Sequence, residues 1–337
     1  VNRLRPLVSI LLPVWNAENT LSTTLASIER QTTSNWECLI VDDGSSDASP
    51  AIAQRFAKHD ARFKLVARNH EGLISSLNAG IDLCTAPLVA RMDADDWMHR
   101  DRLARQIDLL DRSPDLEAVG CFVRIFPRAG LNDGRRAYED WLHSLTKPER
   151  LWRERFIECP IAHPTLMMRR DTLALLRYRE KGWPEDYDLM LRLLRRGPVA
   201  GIVPTRLHGW RDLPTRLSRT DERYALSKFT ACRAWHLSRD FLGDRKTYSL
   251  WGHGRTGRAL RRELATLGHD PTTIVEVHPR RIGNMIHGAR VIPPEALEHE
   301  RPDRLIVSVA RHGPRAKIRA ALARIGMQEG LDFVCAA

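Results

Sequence analysis

Acidic residues gather at three points of this sequence, and each grouping suits chemistry with cations or protons. The segment "LVARMDADDWM" runs an apolar, strand-like stretch into Asp93, Asp95 and Asp96. Two like charges 4 Å apart repel by roughly 1 kcal/mol in water and about 4 kcal/mol near a protein surface, so three carboxylates in four residues invite a cation. If the segment stays extended, Asp93 and Asp95 share a face while Asp96 leans to the other. A hard divalent ion such as Mg²⁺ takes one or two carboxylates of this kind and fills its remaining sites with water and phosphate oxygens. A solvated turn with Asp96 capping the following helix accounts for the same residues. In "PEDYDLMLRLLRRG" a proline opens a helix whose first turn holds Glu185, Asp186 and Asp188 and whose buried stripe is Leu189, Leu193 and Leu194. Acids in a first turn complement the helix dipole and, standing alone, need no further role. In "VDDGSSD", Asp42 and Asp43 follow a strand, and Gly44 permits a tight turn.

The elements that must position these acids follow from the hydrophobic periodicity. Strand and helix alternate over residues 8–92: "VSILL", Asn19 to Arg30, "ECLIV", Ala48 to Lys58, "FKLVA", Glu71 to Leu83 and "PLVARM". Such repeats predict a mostly parallel sheet with helices on both faces, whose ligands bind beyond the carboxyl ends of the strands. Both "VDDGSSD" and "RMDADD" fall at such ends. After Arg102 the pattern loosens into a helix to about Arg112, a strand near "EAVGCFVRIF", helix-like residues from Arg136 to Arg155, "HPTLMMRR", a helix from about Pro184 to Arg196 and a long basic amphipathic helix from roughly Asp221 to Phe241. Past a break near "LGDRK", alternation resumes with "YSLWGHG", Arg255 to Leu267, "TTIVEV", "RLIVSV", Pro314 to Ile325 and "DFVCA".

Composition bounds the function. With 337 residues and 43% apolar content the chain has room for two packed domains. No apolar run approaches the roughly 20 residues of a membrane-spanning helix and no signal peptide opens the sequence, so a cytoplasmic protein is expected. The six cysteines stand far apart with no C-x-x-C pair, which points to buried free thiols rather than a zinc cluster or a disulfide framework. The net charge of +11 is carried mostly by arginine, which favours phosphate or carboxylate partners. The surplus is spread along the chain, so no nucleic-acid-binding tail is expected, whereas a solvated basic surface or peripheral association with anionic membrane both fit.

In order, "VSILLPVWNAENTLSTTLASIERQT", "CLIVDDGSSD", "LNAGI", "VARMDADDWMHRDRLARQ", "HPTLMMRR" and "EDYDLMLRLLRRG" resemble a family 2 glycosyltransferase of the GT-A fold, of bacterial surface-polysaccharide type. The resemblance covers roughly residues 6–220. It implies a Rossmann-like mixed sheet with helices on both faces, and transfer of a sugar from a nucleotide donor, a UDP-sugar, to a glycan or lipid-linked acceptor. Carried over residue by residue, Pro13, Asn16 and Asp43 would line the base pocket with Asp42 in support. Asp93 would bind donor ribose, and Asp93 and Asp95 would bind a Mn²⁺ or Mg²⁺ ion, Asp95 being the more direct ligand. Asp186 would be the general base, with Glu185 the second choice. Two departures are plain: Ser76, Leu77 and Asn78 stand where relatives often write "ARN", and Leu213 stands where relatives often place a histidine two residues past the arginine, here Arg211, which could still reach the diphosphate. Trp183 could stack on an acceptor sugar or belong to the core.

A second motif lies outside that resemblance. "YSLWGHGRTGRALRREL" places Gly252, Gly254 and Gly257 as G-x-G-x-x-G at a strand-to-helix junction, with Glu276 at the end of the next strand, the context that a dinucleotide fingerprint requires. This segment resembles Rossmann-like nucleotide-binding modules appended to some bacterial sugar-modifying enzymes, which often write two acids where this chain has Glu276 and His278. The expected organisation is a GT-A domain over 1–243 (nucleotide-sugar half about 1–100, acceptor half about 101–220, basic helix about 221–241) and a small α/β Rossmann-like domain over 244–337 holding a nucleotide of open identity. Two rival readings remain at this level: an NAD(P)-dependent sugar oxidoreductase working through the glycine motif, and a nucleotide-sugar-binding scaffold without turnover.

Overall fold

The computed structural model describes residues 5–337, which form two compact units: one from residues up to Trp152 with Pro160–Lys181 and Arg192–Arg216, the other from Arg153–Cys159, Gly182–Leu191 and Leu217–Ala337. The first unit holds an eight-stranded sheet in the order β3-β2-β1-β4-β7-β6-β8-β5. Its strands are β1 (Val8–Val14), β2 (Trp36–Asp42), β3 (Phe63–Ala67), β4 (Leu88–Arg91), β5 (Trp97–Met98), β6 (Ala118–Phe126), β7 (Met167–Arg169) and β8 (Ala200–Arg211). Strands β3, β2, β1 and β4 are parallel, and β7 pairs antiparallel to both β4 and β6. Helices α1 (Leu21–Glu29), α2 (Ser49–His59), α3 (Leu73–Leu83) and α4 (Arg102–Arg112) follow the strands as expected.

β1 is buried at every position, and apolar at all of them except Ser9, because both of its faces are covered, as in other parallel sheets. Val8, Ile10, Leu12 and Val14 pack with Leu21, Leu25 and Ile28 of α1 and Ile52 of α2. A polar knot closes the opposite end of the sheet from the acidic loops. Buried Glu37 accepts hydrogen bonds from Ser9 Oγ (2.6 Å), Thr85 N (2.8 Å), Thr85 Oγ1 (2.7 Å) and Lys64 Nζ (2.6 Å). Burial acts to raise its pKa, but Lys64, Ser9 and Thr85 outweigh it and hold the carboxyl at about 2. Its stabilising contribution is therefore present above about pH 4.5, the unfolded value, and lost as pH falls from there towards 2. Glu37→Ala strands the buried Ser9 hydroxyl and two donors of Thr85; we expect it to cost about 2–3 kcal/mol in urea unfolding at pH 7 and little near pH 2.

Strand β8 is the element that the periodicity does not foretell, since Gly201, Pro204 and Gly209 break its pattern. The sheet accommodates Pro204 in a bulge: the β6–β8 register jumps from Cys121↔Val203 to Phe122↔Arg206, which leaves the proline, with no N–H to donate, out of the ladder. The helical stretch expected over Arg136 to Arg155 is two helices, α5 (Asp133–Ser144) and α6 (Pro148–Glu154), because Pro148 cannot continue the first. Helix α7 (Arg170–Leu176) follows β7, and α8 (Glu185–Leu194) begins after Pro184.

The long basic helix expected over Asp221 to Phe241 is corrected to three pieces. They are α9 (Leu217–Thr220), a 3-10 turn at Glu222–Tyr224 and α10 (Leu226–Leu237), which runs into a π turn at Ser238–Leu242. Ala225 is extended and ends the 3-10 turn. Helix α10 buries Arg233 and His236 along with Cys232, Ala234 and Leu237, so it is a core element rather than a one-faced surface helix.

The second sheet has the order β11-β12-β10-β9-β13-β14, with β9 (Thr247–Trp251), β10 (Asp270–Val275), β11 (Met285–Ile286), β12 (Ala289–Ile292), β13 (Leu305–Val307) and β14 (Phe333–Cys335). Only β11 runs antiparallel. Helices α11 (Arg255–Thr266) and α12 (His312–Arg324) connect its strands. All six cysteines are free and buried, as their spacing implies. Among the described residues no helix is long and apolar enough to cross a membrane.

Candidate active site

The site in the first unit is assembled at the carboxyl ends of β1, β2 and β4, where the strand order reverses. Beyond β4 the chain does not stay extended: Asp93 to Asp96 form a turn closed by Asp96 N donating to Asp93 O at 3.3 Å. The three carboxylates converge instead of alternating, with ligand oxygens all within 4.8 Å of one another. Each has a different neighbourhood. Asp96, far from capping α4, is fully buried and anchors the turn to β8, accepting from His208 Nε2 at 2.9 Å and Arg211 N at 2.6 Å. The other ring nitrogen of His208 faces the buried Arg102 guanidinium at 3.2 Å, which also donates to Arg91 O. Burial, then Arg102, drives the His208 pKa well down, so the ring is neutral.

Asp93 is gripped by two cations, Arg91 at 2.6 Å and Arg216 at 3.3 Å. Burial opposes ionisation, yet Arg91 and Arg216 outweigh it and hold this carboxyl at about 2. Asp95 has no side-chain hydrogen bond or ion pair among the described residues. Burial and then the charges of Asp96 and Asp93 push it up to about 7. A half-buried carboxylate with two acidic neighbours and no protein cation of its own fits a hard divalent ion, and the all-oxygen donor set fits Mg²⁺ or Mn²⁺. Arg211 turns its Nε to Asp95 O at 2.7 Å and lies over Phe126. His163 stands near Arg91 and Asp93; burial and then Arg91 lower its pKa to about 3, and its Nε2 meets Tyr178 Oη at 2.8 Å.

The acidic turn after β2 shows the same division of labour. Gly44 takes φ +71°, and a Cβ there would stand 2.8 Å from His70 N. Asp43 accepts from Glu71 N (3.0 Å), Gly72 N (2.9 Å) and Ser76 Oγ (2.8 Å) and pairs with His70 at 2.8 Å, so it ties down the loop that leads into α3. Ser76, which stands where relatives carry an arginine-containing triplet, has this structural task. Asp42 is buried too, and its Oδ1 has no hydrogen-bond partner. Pro13 lies inside β1 opposite Val41 and is buried. Asn16, at φ +48°, accepts from Ser46 N, and next to it Trp15, 54% exposed, stacks on His70 with centroids 4.7 Å apart.

In the second unit, the first turn of α8 separates its three acids. Glu185 is buried and accepts from Tyr224 Oη at 2.7 Å. Asp188 is buried against His236 Nε2 at 3.1 Å, while His236 Nδ1 faces Asp240 at 3.4 Å, an arrangement that pins α8 to α10. Burial works against charging His236, but its hydrogen bonds to Asp188 and Asp240 raise its pKa. Asp186 remains half-buried and, among the described residues, accepts only from its own helix, Tyr187 N at 2.7 Å. Burial and then Glu185 push its carboxyl up to about 8, which suits a group that accepts a proton near neutral pH. Trp183 packs near Trp235, with centroids 5.9 Å apart.

Sequence reading missed Arg91, His163, His208, Arg216 and Trp15 at these sites. One signal was available, because Arg91 precedes Asp93 by two residues and so shares its side of a strand end.

Residues 9–175 match the family model described as Glycosyl transferase family 2. The Bacillus subtilis protein EpsE, named as a glycosyltransferase, is 29% identical over 242 residues, which cover 69% of this chain and 84% of EpsE. Among solved structures, S. aureus TarS in complex with UDP-GlcNAc superposes with a TM-score of 0.56 at 14% identity, over 77% of this chain and 72% of that one. The mannosyltransferase PcManGT from Pyrobaculum calidifontis, in complex with GDP-Man and Mn²⁺, gives a TM-score of 0.50 at 21% identity, over 71% of this chain and 64% of that one. At these identities the likeness is one of fold, the GT-A arrangement that the motifs imply. Residues 9–175 form a family 2 glycosyltransferase domain, and the chain that carries it is a glycosyltransferase.

Proposed function

We propose that the chain is a metal-dependent, inverting glycosyltransferase that moves a sugar from a UDP-sugar to a glycan or lipid-linked acceptor of bacterial cell-surface polysaccharide synthesis. The observation that carries this reading is Asp95, the one acid of its turn with no side-chain hydrogen bond or ion pair among the described residues, between Asp93, held by Arg91 and Arg216, and Asp96, held by His208. A divalent ion on Asp95, with Asp93 beside it, supplies positive charge to the diphosphate of the donor. Arg216, bound to Asp93, adds a guanidinium for the same phosphates, and Arg211 holds the turn's backbone in place. Asp42, with its orphaned buried oxygen, is the acceptor for an N–H of the base, and Asp43 and Asn16 shape the loops around it.

Asp186 takes the proton of the acceptor hydroxyl as that oxygen attacks the anomeric carbon and the nucleoside diphosphate leaves. One displacement with one base inverts the configuration. TarS with UDP-GlcNAc and PcManGT with GDP-Man and Mn²⁺ support a nucleotide-sugar donor and a divalent ion. The second sheet, within 244–337, is read as a Rossmann-like domain that binds a nucleotide at Gly252, Gly254 and Gly257. The net charge of +11 supports work at the face of an anionic membrane.

A donor panel tests the reading. With Mn²⁺, the full chain should release UDP from one UDP-sugar in the presence of glycan or lipid-linked acceptor, and EDTA should abolish release. Turnover that is indifferent to EDTA overturns the metal assignment, and release confined to GDP-sugars overturns the donor.

A further inference from the structure

The loop after β9 is shaped for an anion that the protein does not itself provide. Strands β12-β10-β9-β13-β14 run parallel, so the chain order reverses between β9 and β13, and the crevice beyond their carboxyl ends is a switch point. Gly252 takes φ +95°, and a Cβ there would lie 2.9 Å from Ser308 O; one at Gly257 would lie 2.0 Å from Gly252 O; one at Gly254 meets nothing within 4 Å. The first and third glycines thus close the turn, and the middle one leaves space beside it. Gly254 is also the N-cap of the 12-residue α11 and offers no side-chain cap, so the backbone N–H groups of the first turn face outward. Two buried polar side chains at this turn have no hydrogen-bond partner: Ser308, 3% exposed, through Oγ, and His253, 6% exposed, through Nε2.

The surroundings are cationic beyond what a diphosphate would balance. Arg255, Arg258, Arg261, Arg262 and His287 line a hollow of about 420 Å³, and the His287 ring lies 5.9 Å from that of His253. None of these four arginines forms an ion pair among the described residues, unlike Arg245, which pairs with Asp303, and Arg319, which pairs with Glu329. Glu276, at the position from which an acid would read a ribose diol, is instead held by Arg281 at 3.0 Å and by Val277 N at 2.9 Å.

We propose that this crevice binds a nucleotide bearing at least one phosphate more than the diphosphate held at the glycine turn, with Arg255 and Arg258 as partners of the extra phosphate. The inference rests on the nucleotide reading of the second sheet given above and adds the class of ligand. Planar guanidiniums without acid partners recognise phosphate through paired, charge-assisted hydrogen bonds, and an additional dianion relieves their mutual repulsion.

Calorimetry on the full chain in EDTA, which silences the metal-dependent donor site, compares two matched pairs: ADP with ATP, and NAD⁺ with NADP⁺. In at least one pair the member with the additional phosphate should bind about tenfold tighter or more. Arg255→Ala/Arg258→Ala, at exposed positions, should erase that preference without lowering the melting temperature, and Gly254→Val, whose side chain enters empty space, should block both members. Equal affinities in both pairs, a preference for the less phosphorylated member, or a preference that survives the double substitution overturns the inference while leaving nucleotide binding intact. No binding of any of the four overturns the nucleotide reading as well.

Discussion

Asp186→Asn is expected to leave donor affinity unchanged and to lower transfer by about 10³-fold, within the range that removal of a general base produces. The neighbouring acids cannot substitute. Glu185 is bound to Tyr224 and Asp188 to His236, both in fully buried positions, whereas Asp186 is half-buried and, among the described residues, accepts only from the backbone of its own helix. Its burial, reinforced by Glu185, places its carboxyl at about 8. A base works only when deprotonated, so wild-type turnover should climb through pH 7 to 8, falling roughly tenfold per unit below that range. The Asn variant should lose this limb. Donor titration and a pH–rate profile separate the alternatives: weakened donor binding with normal turnover would move Asp186 out of the base role.

Asp95→Asn should abolish metal-dependent transfer and, with it, the thermal stabilisation that UDP and Mn²⁺ together confer. The ligand-free variant should nevertheless be more stable than wild type at neutral pH, by about 1 kcal/mol, because burial and the facing carboxyls of Asp96 and Asp93 disfavour the ionised form of Asp95. That opposite movement of activity and stability distinguishes a ligand site from a structural acid. Asp96 provides the contrast, since its carboxylate accepts from His208 and Arg211 N in a buried setting, and its removal would strand both donors. Differential scanning of Asp95→Asn with and without Mn²⁺ reads both effects. A melting temperature lower than wild type in the absence of ligand, or retained stabilisation by the metal and UDP, would show that Asp95 serves the fold.

Much of this architecture is legible in local pattern. The alternation from Val8 to Arg91 predicts a mostly parallel sheet because β1, β2 and β4 are near-continuous apolar runs buried on both faces, with β3 a part-exposed edge strand, a property of the neighbouring residues alone. The places where the acids sit follow from the same pattern, since a parallel strand that ends in "MDADD" must deliver its carboxylates beyond the carboxyl end of the sheet. The misreadings have local causes as well. Pro204, Gly201 and Gly209 hide β8, although a bulge makes room for the proline, and the basic residues of α10 imitate a surface helix although Arg233 and His236 are buried.

What the sequence determined by itself is the parallel α/β order, the free cysteines, the acids at strand and helix ends, and the glycine turn after β9, all of which depend on residue type and short-range spacing. Only the tertiary structure decided what engages the other acids, His208 on Asp96, Tyr224 on Glu185 and the His70–Gly72 loop on Asp43, beside Asp95 and Asp186, which the family resemblance already singles out, and the unpartnered Oδ1 of Asp42. The reason is that a carboxylate's task depends on what faces it, and Arg216, His208, Tyr224 and the His70–Gly72 loop come from positions that no short-range spacing connects to the acids they occupy.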